Sequence, residues 1–133
     1  MTKDKVLELF GFTKGYLSMT LKEKEIALDN IQQGWEQLPD DKYPLPESSK
    51  LALMMLDQYL IIGKIELAAQ WGNVLINNKN RIDSGEKELI KGKILFESGQ
   101  IDEAKEFFKI AFQKSKGRIF AGEPKKYVDV LKK

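Results

Sequence analysis

The sequence predicts an all-α fold of stacked helical hairpins, on three observations. Apolar residues recur at helical spacing through most of the chain. Two stretches lying 36 residues apart each read as helix, glycine turn, helix. Three of the four prolines fall between residues 39 and 49, marking one break between helical regions. A chain of 133 residues is one domain's worth and can bury a real core.

At the N-terminus, residues 3–10 read as a short helix, ended by Gly11 and Gly15. A longer one runs from Thr20 to Leu38, with Leu28, Ile31, Trp35 and Leu38 on one stripe and polar residues opposite. Thr20 followed by Glu23 forms a capping-box pattern at its start, and Pro39 stops it. Residues 1–38 are thus expected to form a divergent N-terminal hairpin. Residues 39–49 read as a Pro-rich connector, with Ser48 or Ser49 as the cap of the next helix.

The first full hairpin (50–78) comprises a helix over 51–62, a turn at Gly63-Lys64 and a helix over 65–78. The second (85–116) comprises 86–98, a turn at Gly99-Gln100 and 101–115. Superposing the turn glycines places Ile65 on Ile101, Ala68 on Ala104, Trp71 on Phe107, Leu75 on Ala111 and Ile76 on Phe112. Glu123-Pro124 then opens a short C-terminal helix (123–132) with Tyr127, Val128 and Leu131 on its apolar side. Two hairpins alone leave unburied ends, so the flanking helices are expected to cap the stack.

The second hairpin resembles a tetratricopeptide repeat (TPR). Gly92 and Ala104 take its small-residue positions, Gly99 its turn glycine and Phe108 its aromatic wedge; Ala111 and the acidic pair Asp102-Glu103 also match. The first hairpin matches at Tyr59, Gly63 and Ala68. It departs where Leu56 replaces a small residue and Gly72 an aromatic one, and Leu56 or Trp71 is expected to supply the missing bulk. The resemblance covers residues 49–118 and implies a right-handed stack whose concave face grips a protein partner. By position, the groove candidates are Lys50, Leu53, Asp57, Leu60 and Ile61 on one helix and Glu86, Leu89, Lys93, Phe96 and Glu97 on the next. Alternatively Leu53, Leu60, Leu89 and Phe96 pack against the N-terminal helix; exposed, they would equally serve a homodimer. The Lys/Asn clamp with which some family members hold acidic peptide tails is not evident.

Cysteine and histidine are absent, which removes disulfides, thiol nucleophiles, imidazole or thiolate metal sites and His-based triads. Asp40-Asp41 lies between Pro39 and Pro44, where turn chemistry explains it better than acid–base catalysis does. Met54-Met55, Trp35 and Trp71 read as core. The glycines are isolated, so no phosphate loop is present. A non-enzymatic protein without metal or cofactor is therefore expected.

Charge is uneven. Residues 105–133 carry nine basic and three acidic groups, and the first 104 residues carry 13 basic and 17 acidic ones. Lys114, Lys116, Arg118, Lys125 and Lys126 would meet an acidic partner surface or, less favoured at a pI near 8.6, RNA. A TPR-like domain of this size with the tail from Gly117 to Tyr127 resembles small bacterial immunity proteins, which implies that the partner is a secreted toxin domain. The rival expectation is a general adaptor or scaffold. No apolar run is long enough for a membrane span, and the N-terminus lacks a signal-peptide core, so a cytoplasmic location is expected.

Overall fold

The structure is a computed structural model and describes residues 1–78 and 84–132. Lys133, counted in the basic tail, lies outside them. Among the described residues seven α-helices appear in order: α1 (Thr2–Leu9), α2 (Leu21–Glu36), α3 (Pro46–Ile61), α4 (Ile65–Ile76), α5 (Glu86–Glu97), α6 (Ile101–Ser115) and α7 (Lys125–Asp129). Short 3₁₀ turns link several of them, and the described residues contain no strand. The chain is all-α.

Local chemistry explains most boundaries. At the start of α2 the Glu23 amide donates to Thr20 Oγ1 (3.2 Å) and the Thr20 amide to Glu23 Oε1 (3.0 Å), the reciprocal capping box. These bonds to Thr20 hold the Glu23 carboxyl below its ordinary pKa. The helix ends at Glu36, so Leu38 packs from just beyond it. The turns after α3 and α5 are the same motif 36 residues apart. Gly63 (φ 84°) and Gly99 (φ 85°) take the left-handed conformation. The Lys64 and Gln100 amides reach back to Tyr59 O and Leu95 O, both at 2.9 Å. This Schellman geometry satisfies carbonyls that the helix end would orphan, at a position where glycine carries no steric cost.

Two boundaries correct the sequence reading, and the packing over Gly72 refines it. Helix α3 begins at Pro46, with Leu45 as N-cap, so Ser48 and Ser49 lie inside it and cap nothing. Proline's fixed φ and missing N–H suit the first helical position. Both serines are buried: Ser48 Oγ donates to Lys42 O (2.6 Å) and Ser49 Oγ accepts from Asn78 Nδ2 (3.0 Å). At the C-terminus, Pro124 is the residue before α7, and α7 passes into a 3₁₀ turn at Val130. Over Gly72, a built Cβ would lie 3.0 Å from Ile90 Cγ2, 3.2 Å from Ile94 Cδ1 and 3.9 Å from Leu56 Cδ1, so Leu56 supplies part of the bulk and α5 the closer part.

Packing follows from these elements. Helix α3 pairs with α4 and α5 with α6, α4 meets α5, and α1 lies against α3. One core cluster joins α1 to α4 through Val6, Leu28, Ile31, Leu51, Met55, Tyr59, Ala68, Trp71 and Leu75, with Ile90 reaching in from α5. A second gathers Leu89, Ala104, Phe108, Ala111, Phe120 and Tyr127. Ala68 and Ala104 are fully buried, and a Cβ on Gly92 would sit 2.5 Å from the Phe108 ring. Small side chains therefore stand where helices approach most closely.

Candidate functional site

Two concave surfaces matter. The first lies beside α3 and α5, where the sequence placed a groove. A recess of about 230 Å³ remains there, lined by Asp57, Gln58, Leu60, Ile61, Lys93, Glu97, Gly122, Glu123, Pro124, Lys126 and Tyr127. One wall is the chain's own C-terminal segment, docked on α5 by polar and aromatic contacts. Lys93 Nζ lies 2.5 Å from Asp57 Oδ1 and 2.8 Å from Glu123 Oε1, with its side chain 3% exposed. Tyr127 O–H donates to Glu97 Oε1 (3.0 Å), and Lys126 Nζ pairs with the same oxygen (2.5 Å). Burial, then the neighbouring Glu97 carboxylate, pushes the Tyr127 phenol well above its ordinary pKa. The Tyr127 ring meets Phe96 edge-on at 5.2 Å and Phe108 at 5.5 Å.

The groove candidates are thereby divided. Leu60, Leu89 and Lys93 are buried, Phe96 and Glu97 lie half-buried beside Tyr127, and Glu86 is half-buried at the start of α5. Leu89 and Phe96 pack with the C-terminal segment, not with the N-terminal helix that the alternative named. On α3, Lys50, Leu53 and Ile61 stay exposed and Asp57 partly so. These four recur at spacings of three and four, hence on one stripe.

Of the basic candidates, Lys114 pairs with Glu88 (2.7 Å) and Lys126 with Glu97, whereas Lys116, Arg118 and Lys125 are exposed. Lys114, Lys116 and Arg118 line a hollow of about 450 Å³ with Ser84, Ser115 and Ile119. Lys125 is not among the described residues that line it.

The second concavity was not anticipated. A groove of about 710 Å³ runs between α4 and the connector, lined by Tyr43, Pro44, Gln70, Asn73, Val74, Asn77 and Asn78. A smaller hollow of about 320 Å³ adjoins it, sharing Tyr43, Gln70 and Val74 and reaching Gln32, Trp35, Lys42 and Trp71. The aromatic wall is braced: Trp35 and Trp71 lie 5.0 Å apart, Tyr43 meets Trp35 edge-on at 5.7 Å, and Trp71 Nε1 donates to Gln32 Oε1 (2.6 Å). Beneath it, buried Lys42 donates to Trp35 O (2.6 Å) and Leu38 O (3.1 Å), carbonyls at the end of α2. Burial lowers the Lys42 pKa, with Asp40 and Glu36 opposing the shift. The available sequence signal was the spacing of Gln70, Asn73 and Asn77; the connector that faces them lies about thirty residues earlier, which spacing alone does not reveal.

Asp40 and Asp41 sit in a 3₁₀ turn, where Asp41 accepts from Thr2 Oγ1 (2.8 Å). Among the described residues there is no cluster of three metal-ligating side chains, and no helix is long and apolar enough to cross a membrane. Comparison with protein-family models, curated proteins and solved structures gave no match.

Proposed function

We propose that the chain acts by stoichiometric, non-enzymatic binding of another protein, through the exposed stripe of α3 beside the recess. The observation that supports this most is Ile61. It is 74% exposed, stands one turn from Asp57 and two from Leu53, itself 38% exposed, and borders a recess rimmed by both charge signs. An apolar anchor ringed by polar groups is the usual anatomy of a protein interface. TPR-like stacking remains part of this proposal: the matching glycine turns and the small residues at helix contacts support it.

In the narrower reading, the partner is a secreted bacterial toxin domain encoded beside this chain, neutralised when its active site is covered. Co-expression with such a neighbouring toxin is expected to yield a 1:1 complex by light scattering and to protect the cells. Ile61→Asp is expected to weaken the complex at least tenfold while leaving the helical signal intact. Absence of both complex and protection would remove the toxin reading. An adaptor would instead bridge two proteins at once, and an RNA binder would lose affinity steeply as salt rises.

A further inference from the structure

The turn that ends α6 is built like the two that end α3 and α5, with one residue out of keeping. The Gly117 amide reaches back to Phe112 O at 2.9 Å, as Lys64 does to Tyr59 O and Gln100 to Leu95 O. The left-handed position just before that donor holds Gly63 and Gly99 in the first two turns, but Lys116 (φ 54°) in the third. A side chain in this conformation crowds its own backbone, a cost that glycine escapes. Gly117 follows with φ 82°, and a Cβ built on it would lie 2.9 Å from the Phe112 ring. The chain is thus turned back onto its hairpin through two successive left-handed residues, the first of them a lysine.

What this turn holds in place is a unit of its own. Within residues 118–132, the Ala121 amide bonds to Arg118 O, Glu123 to Phe120 O and Tyr127 to Pro124 O. The unit fastens to α5 and α6 through side chains: Phe120 and Tyr127 against the Phe108 ring, Glu123 on Lys93, Lys126 and Tyr127 on Glu97. Each of these contacts is indifferent to which chain supplies the segment, so a second copy can make all of them in trans. Opening the turn gives up the Gly117 bond to Phe112 O and the Ile119 bond to Ser115 Oγ (3.2 Å). If α6 continues instead, those two amides take Gln113 O and Ser115 O in helical geometry, and the left-handed lysine is relieved. Because the docking contacts cancel between the closed and exchanged forms, the hinge sets the balance.

We propose that residues 118–132 exchange between two copies of this chain, each docking its C-terminal segment on α5 and α6 of the other. The second copy then supplies Glu123 to the Lys93–Asp57 pair and with it one wall of the recess beside α3. In dilute solution the closed monomer prevails, because a short link keeps the chain's own segment at an effective concentration in the millimolar range. Exchange belongs to crowded or freshly refolding chains.

The test refolds the full chain from urea at about 1 mM and at about 10 μM, on either side of or well below that effective concentration, and reads the mass by light scattering after dilution. A two-copy species is expected from the concentrated sample and a single copy from the dilute one. Lys116→Gly removes the cost of the closed turn and weakens a continued helix, so it should lower the dimerisation constant at least about fivefold. Lys116 is exposed, so this variant is expected to fold as the parent does. Gly117→Ala strains the closed turn against Phe112 and should raise the constant by a similar factor. Exchange itself is read by refolding a mixture of normal and heavy-nitrogen chains and coupling Lys126 to Glu97, which lie in ion-pair contact, with a zero-length carbodiimide. The dimer should yield Lys126–Glu97 products that join one chain of each kind. The proposal is overturned by any of four results: a single copy at both concentrations, a dimer whose couplings all join like isotopes, a dimerisation constant that Lys116→Gly leaves unchanged, or a dimer that Ile61→Asp abolishes, which would put the contact on the α3 stripe.

Discussion

Gly92 faces the Phe108 ring so closely that a single methyl group has no room. A built Cβ would lie 2.5 Å from Phe108 Cε1 and 2.6 Å from Cδ1, and the fully buried ring has nowhere to retreat. Alanine would gain about 1 kcal/mol of helix propensity over glycine, but overpacking costs about 1–3 kcal/mol. We therefore expect Gly92→Ala to lower stability in urea unfolding; a gain would show that the two helices can separate freely. Tyr59 makes a second residue-scale expectation. Burial, with Asp29 and Glu36 adding to it, pushes its hydroxyl up to about 12. From about pH 10 to 12 the unfolded chain has released this proton while the folded chain holds it. The contribution present below about pH 10 is lost as pH rises, by roughly 2–3 kcal/mol at full effect. Tyr127 acts in the same direction. Lys42, shifted down, acts in the opposite one, but only up to its ordinary value of 10.5. The melting midpoint should fall above about pH 10, and Tyr59→Phe should flatten that fall.

At the scale of elements, the C-terminal segment is held by charge as well as by rings. Lys93→Met would leave Asp57 and Glu123 facing each other without their shared cation. Because Asp57 is partly exposed and water can relieve it, we expect a loss of about 1–3 kcal/mol, below the value for a fully buried pair. Equilibrium urea unfolding of this variant and of Ala104→Leu, for which overpacking predicts about 1–3 kcal/mol, checks both contacts. What could be read from the sequence follows the range of the interactions. The Thr20–Glu23 box and the Gly63 and Gly99 turns involve neighbours within five residues, so their patterns were visible. The start of α3 was misplaced because two serines outweighed a proline whose preference for the first turn is just as local. The pairing of Tyr127 with Glu97 spans 30 residues, and no local spacing announces it.

Over the whole molecule, two core clusters meet where Ile90 of α5 enters the first and Leu89 stays in the second. The half built on α5, α6 and the C-terminal segment depends on Phe120 and Tyr127 to cover Phe108. Ending the chain after Ser115 should therefore loosen this half first. In hydrogen exchange, amides of α5 and α6 should lose protection while those of α2 and α3 keep most of theirs. The same coverage narrows the surface open to a partner. Of the ten groove positions named from the sequence, Lys50, Leu53, Asp57 and Ile61 form the accessible stripe on α3, while the docked segment lies against Lys93, Phe96 and Glu97 of α5. The most direct measurement is site-specific photocrosslinking from position 61 in a complex co-expressed with the toxin domain proposed as partner. Binding through α3 predicts a covalent product with the mass of one copy of each protein. A complex that forms normally but crosslinks only from positions 73 or 77, never from 61, would contradict it.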